Sequence, residues 1–382
     1  MKKFLLLGLA LVLLGSALFA DDAKVMPARL GRFYLAPSFI TASKAFDDEG
    51  SREDTDAMKM FNLGMAAEYG ILSWMTGAIQ WAPGINAWST IDTDVPYIGG
   101  TGLVISDSDV RLLDKGDIFL GAKMQILGGD GLVKNDNLRL AFAPGLKIPL
   151  PGPDFEKQVE NAVSGDKVTP ATMDNHVLAA GLRSYFDFVI NDKFFINLYN
   201  EALFNVTKKD LKKVGYMEYM LATAIDQANA GMTAMAQPAL FDYDKVKYGY
   251  ELTFELEPVF STPAGKGILF TAGLPVRYVT KSGKKYDFTY DETYVNTVMG
   301  MLGGMGMTDE AAGVGTALYM IKGLEDSEAQ SHLLTLTPNA AVFFYGWPLP
   351  MEFKLSYTAP LWGQNAGANH VIGFQIRVYF KI

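Results

Sequence analysis

The chain has 382 residues, a hydrophobic fraction of 49%, a net charge of -9 and no cysteine, which excludes disulfides, thiolate metal sites and a catalytic thiol. The acidity argues against nucleic acid as a partner. Past the first twenty residues no apolar run reaches the roughly 20 residues of a membrane helix, so a helical membrane protein is not expected.

Residues 1–20 read as a signal peptide. Lys2 and Lys3 precede an apolar run from Phe4 to Leu14, followed by GSALFA and the acidic pair Asp21 and Asp22. Cleavage is expected after Ala20, with an uncleaved anchor as the alternative; either way the chain leaves the cytoplasm. Residues 21–382 are then one domain.

From residue 30 onward the dominant signal is alternation with period two, which puts successive side chains on opposite faces of a strand. Twelve such segments are predicted, at about 30–41, 60–71, 74–84, 116–127, 137–148, 177–190, 193–206, 245–260, 267–280, 332–345, 350–361 and 371–382. In the first, Phe33, Leu35 and Phe39 oppose Arg32, Tyr34 and Ser38; in the eighth, Val246, Tyr248, Leu252, Phe254 and Leu256 oppose Lys247, Thr253, Glu255 and Glu257. The last sets Ile372, Phe374, Ile376, Val378 and Phe380 against Gln375, Arg377, Tyr379 and Lys381.

The links between these segments alternate long and short. A transmembrane meander has short periplasmic turns and long outer loops, whereas a soluble sandwich has no reason to alternate. The fold expected is an all-β transmembrane antiparallel up-and-down barrel of twelve strands, with short helices in the extracellular loops, or fourteen strands if a further hairpin lies within 85–112.

Gly373, followed by alternating hydrophobic residues and Phe380-Lys381-Ile382, resembles the terminal signal of bacterial outer-membrane barrels, although such signals usually finish on an aromatic residue. The stretches EYGILSWMTGAIQWAPG (68–84), KGDIFLGAKMQIL (115–127) and NLRLAFAPGLKIPLPG (137–152) are similar to transporters grouped near the long-chain fatty-acid channel and the aromatic-degradation outer-membrane proteins. The resemblance implies residence in the outer membrane, contact with its lipid, and recognition of the last strand by the barrel-assembly machinery. The fatty-acid channel also has fourteen strands and a substantial N-terminal hatch, whereas only residues 21–29 precede the first strand here, which argues against hatch gating.

Inward-facing charges form the first set of candidate site residues. The cations are Arg32, Lys123, Arg139, Lys147, Arg183, Lys247, Arg277, Lys354 and Arg377, and the anions Glu68, Asp117, Asp187, Glu201, Glu251, Glu255, Glu257 and Glu352. The signs nearly balance, which suits salt bridges stiffening the wall or a polar solute path; a charge-selective porin would favour one sign. The second set lies in two outer segments of helical composition, 214–236 and 290–322, where Met217, Met220, Met299, Met301, Met305 and Met307 suggest helices packed on one another or an adjustable apolar mouth.

No enzyme is expected. His176, His332 and His370 fall on the outward parity near the outer interface, a poor arrangement for a triad or a zinc site. No metal or cofactor is expected either. The clusters Asp47-Asp48-Glu49, Glu53-Asp54-Asp56, Asp92/Asp94 and Asp107/Asp109 carry oxygen ligands of the kind calcium takes, but read more simply as solvated loops. Trp74, Trp347, Trp362, Tyr34, Tyr69 and Tyr345 lie near strand ends, as interfacial girdles do. The function expected is passive uptake of a small apolar or amphipathic solute; the alternative is a structural, adhesin-like barrel with a plugged lumen.

Overall fold

The structure, a computed structural model, describes residues 22–91, 95–96, 104–105, 115–152, 154–157, 176–325 and 329–381. Residues 1–20 and the Asp92/Asp94 and Asp107/Asp109 clusters therefore lie outside the described residues. Twelve long strands form one sheet: β1 (Leu30–Phe46), β2 (Arg52–Leu72), β3 (Met75–Ile91), β4 (Asp117–Leu127), β5 (Leu138–Pro149) and β6 (Ala179–Asn191), then β7 (Phe194–Asn205) and β8 (Tyr250–Gly265). β9 follows in two pieces (Ile268–Gly273 and Val276–Lys281), as does β10 (Ser331–Leu336 and Asn339–Phe344), before β11 (Met351–Gln364) and β12 (His370–Lys381). Each pairs antiparallel with the next, and β12 closes on β1 with Arg32 opposite Tyr379 and Leu35 opposite Ile376. Closure gives every strand two neighbours, which is how a sheet satisfies its backbone in lipid. The fold is thus the twelve-stranded barrel that the alternation predicts.

Parity is obeyed around the wall. Phe33, Ile79, Leu120, Leu182, Phe254, Leu256 and Ile372 are exposed on the outside, while Ser38, Thr76, Gln80, Asp187, Asn197, Thr253 and Gln375 are buried within. Some boundaries move. β1, β2 and β3 run higher than expected, because 42–46, 52–59 and 85–91 continue the pairing. The predicted eighth strand starts too early: Val246 and Tyr248 do not face lipid but are buried among Val177, Leu211, Val214 and Ala222 above the barrel.

β9 and β10 break at Pro275 and Pro338, since proline has no amide hydrogen for the ladder. The proline carbonyls still accept: Leu274 N donates to Pro258 O at 3.2 Å, Thr337 N to Pro275 O at 2.9 Å and Tyr357 N to Pro338 O at 3.1 Å. The wall therefore bends across β8–β11 without losing cohesion.

Two outer loops fold together. α1 (Tyr216–Ala234) comes from the β7–β8 connection, and α2 (Glu292–Gly304) and α3 (Thr308–Glu325) come from the β9–β10 connection. Asp291 caps α2 by accepting from the amides of Thr293 and Tyr294. Leu221, Ile225, Val295, Val298, Leu302, Val314, Ala317 and Ile321 form a shared core, and Phe241–Tyr243 pairs with Phe288–Tyr290 beneath it.

Glu218 links the two loops, accepting from Lys284 Nζ at 3.1 Å and Tyr286 Oη at 2.9 Å. Burial by itself would raise this carboxyl; the Lys284 ammonium, its own backbone amide and the Tyr286 hydroxyl outweigh that and hold it below the ordinary carboxylate value. A depressed folded-state pKa contributes stability that is present above the unfolded value of 4.5 and lost as pH falls through the folded one. Protection of the α1–α3 amides, taken as the intrinsic exchange rate relative to the observed rate at each pH, is therefore expected to fall below that range in the wild type. Glu218→Gln should exchange faster at neutral pH and show a flatter acid response; an unchanged acid response in the variant contradicts the assignment.

Candidate functional site

Two features fill the barrel interior, and both follow from the inward parity. The first is the short segment ahead of β1, which enters the half of the lumen nearest the short strand-to-strand turns. Ala23, Val25 and Met26 are buried there. Asp187 Oδ2 accepts from Ala23 N at 3.1 Å, Thr76 Oγ1 from Met26 N at 2.8 Å, and Gln125 Nε2 donates to Ala23 O at 3.1 Å. Lys123 Nζ donates to the Asp22 carbonyl. Gly70 on β2 allows this route, because a Cβ there would run into the Pro27 carbonyl. The segment is short, yet it occupies the lumen, which corrects the expectation drawn from its length.

The second feature is a mid-lumen knot between β3 and β7. Arg183 on β6 donates through Nη1 to Gln80 Oε1 across the barrel at 2.7 Å and through Nε to Glu201 Oε1 at 2.6 Å. Its guanidinium lies 3.7 Å from the centre of the Phe119 ring. Tyr199 Oη donates to Glu201 Oε2 at 2.8 Å, and Tyr185 packs on Tyr199 with ring centres 5.2 Å apart. Multiple hydrogen bonds and a ring face compensate a desolvated charge that neither could support alone.

Other predicted lumen residues pair along the wall. The pairs are Arg32–Glu68 at 2.7 Å, Arg139–Asp187 at 3.2 Å, Lys281–Glu251 at 2.6 Å, Arg277–Glu255 at 2.5 Å and Arg377–Glu352 at 3.2 Å. Arg32 and Arg377 both lie over Tyr34, at 4.5 and 5.2 Å. Tyr34 is only 2% exposed, so it is a lumen residue and not part of the girdle.

On the opposite side, toward β8–β12, the lumen keeps unfilled space. A cavity of about 360 Å³ lies between the N-terminal segment and the wall. Val25, Met26, Val259, Leu269, Ala341 and Phe343 give it an apolar flank, while Arg32, Glu68, Lys354 and Arg377 supply charge. A smaller cavity of about 30 Å³ adjoins it through Glu257, Asn339 and Lys354, and is lined also by Glu255, Arg277, Ser356 and Gln375. Sequence reading placed Glu257 on the inward face but did not separate it from the paired carboxylates; its two-strand reach to Asn339 is visible only in three dimensions.

The methionines lie elsewhere. Met299 and Met307 pack against the α1–α3 core, Met220 is half-buried, and Met301 and Met305 are exposed at 47% and 63%. The side chain of Met217 lies outside the described residues. None of the other five lines either lumen cavity. His332 and His370 do face outward, bonded through Nδ1 to Tyr278 Oη at 2.7 Å and Tyr357 Oη at 2.8 Å. His176 departs from its predicted position: it precedes β6, is 7% exposed, and approaches Leu150 O at 2.9 Å and Asp117 Oδ1 at 3.6 Å.

No protein-family model matches the sequence, and no curated protein matches it. Among solved structures, the chain is similar to the COG4313 outer membrane channel from Pseudomonas putida F1, with a TM-score of 0.56 at 10% identity over 95% of this chain and 100% of that one. A Pseudomonas aeruginosa FadL homologue matches with a TM-score of 0.33 at 9% identity, covering 98% and 97%. The CymD monoaromatic hydrocarbon channel gives 0.35 at 9%, covering 94% and 89%. At these identities the first likeness shows the fold, an outer-membrane β-barrel.

Proposed function

We propose that this barrel is an outer-membrane channel for passive entry of small apolar or amphipathic solutes. The observation that carries the reading is the asymmetric lumen. The β3–β7 side is filled by the Arg183 knot, while the β8–β12 side keeps a cavity of about 360 Å³ with an apolar flank and a charged one. A preformed cavity of this size, with an apolar patch beside many charged and polar groups, suits a small amphipathic ligand. The similarity to a barrel described as an outer membrane channel supports the reading. In this account outer-membrane lipid surrounds the apolar outer face, and β12 is the strand read by the assembly machinery.

The alternative, a surface-interaction barrel, is favoured by the independent core of α1–α3. Proteoliposome swelling separates the two. A channel passes small neutral and amphipathic solutes at rates above protein-free vesicles, and shortening 290–322 leaves heat-modifiable mobility intact while changing flux. A surface barrel passes none, with or without the loop.

A further inference from the structure

We propose that the junction of the two lumen cavities is a recognition point for a zwitterionic solute, a small apolar amino acid, with Lys354 receiving its carboxylate and Glu257 its ammonium. This rests on the channel reading and specifies which solutes that channel favours.

Most charges of the wall are held in direct ion pairs. Arg32, Arg139, Arg183, Lys281, Arg277 and Arg377 each hold a carboxylate within 4.0 Å. Among the described residues Lys354 and Glu257 make no such ion pair. Both line both cavities. Glu257 is 8% exposed, and its one hydrogen-bonded oxygen, Oε1, accepts from Asn339 Nδ2 at 2.9 Å. Gly273 on the intervening strand lets it lie flat, since a Cβ there would strike the same oxygen.

Two further buried groups face the small cavity without a hydrogen-bond partner among the described residues: the donor Gln375 Nε2 and the acceptor Glu255 Oε1. Unsatisfied buried polar atoms cost stability, so a donor and an acceptor left together beside two opposite charges that lie near each other without a direct ion pair make a site for a polar group of both signs. A single-sign ligand would satisfy only half of them. The small cavity, about 30 Å³, holds little more than a polar headgroup. The body of the solute would then extend into the larger cavity, against Val259, Leu269, Ala341 and Phe343.

Equilibrium dialysis of L-leucine against the detergent-solubilised full chain tests the site without requiring transport. Lys354→Met and Glu257→Gln are each expected to weaken binding about tenfold or more, the scale of one charge-assisted contact. The exchanged pair Lys354→Glu/Glu257→Lys should recover binding, with heat-modifiable mobility showing that all variants fold. 4-Methylpentanoate and 3-methylbutylamine, which each keep one charge, should bind about tenfold more weakly than leucine. Equal binding of the single-charge analogues, or leucine binding indifferent to both substitutions, overturns the proposal while leaving the channel reading intact. Leucine binding without flux of any solute in liposomes would instead retain the site and remove the channel.

Discussion

Leu256→Arg is expected to prevent the barrel from assembling, whereas Thr271→Arg leaves it able to fold. Leu256 sits mid-strand on β8, faces outward and is 47% exposed, which in this fold means lipid. A charge at that depth costs about 2–4 kcal/mol on a barrel's outer face, a large share of the stability available to a domain. Thr271 lines the large cavity, where a long cation stays solvated. Parity alone would have nominated Thr253 as the inward control. The structure rules that out, because Thr253 is 0% exposed and no arginine fits beside it. Folding into outer-membrane lipid vesicles, read by heat-modifiable mobility, checks the pair; equal folding of both variants would mean the register is wrong.

The second large effect is expected at Arg183. Arg183→Ala leaves Glu201, whose side chain is 2% exposed, beside Tyr199 without its directly bonded cation, with only the more distant Arg277 to offset its charge. Breaking a buried pair on one side typically costs about 3–5 kcal/mol, and the residual exposure of Arg183, 14%, puts the expectation at the lower end. The same change removes the cross-lumen bond to Gln80 and the stacking on Phe119, so conductance should rise as stability falls. Arg183→Ala/Glu201→Ala should recover most of the stability and keep the raised conductance. Thermal unfolding and ion conductance read the two effects separately. A double variant as unstable as the single one would show that the knot is not an isolated pair.

How much of this was legible in the sequence depends on the range of the interaction concerned. Strand parity is local, so Arg32, Asp187, Glu201 and Arg277 could be placed inward from period two alone. Closure by β1 and β12 followed from an even meander. Pairing across the lumen was not legible: Gln80 and Arg183 are 103 residues apart, and nothing in either strand marks the other. The N-terminal segment was misjudged by its length, since what admits it is Gly70 and the acceptors of Asp187 and Thr76, each on a different strand. His176 was assigned by extrapolating the β6 alternation backward, but β6 begins only at Ala179 and the histidine lies in the loop before it. Composition left the methionines as either packing between helices or an apolar mouth; Met299 and Met307 pack against a core shared by two loops while Met301 and Met305 stay exposed, a division that only the tertiary structure shows.

In the proposed channel the solute route runs along the β8–β12 side, past the segment at 22–29. Planar-bilayer recording of the purified wild type beside a variant lacking residues 22–27 tests it most directly. The account predicts small, discrete conductance steps in the wild type and steps several-fold larger in the variant, because the hydrogen bonds to Asp187, Thr76 and Gln125 that hold the segment in the lumen are gone. Absence of steps in both proteins, each shown to be folded, would contradict it.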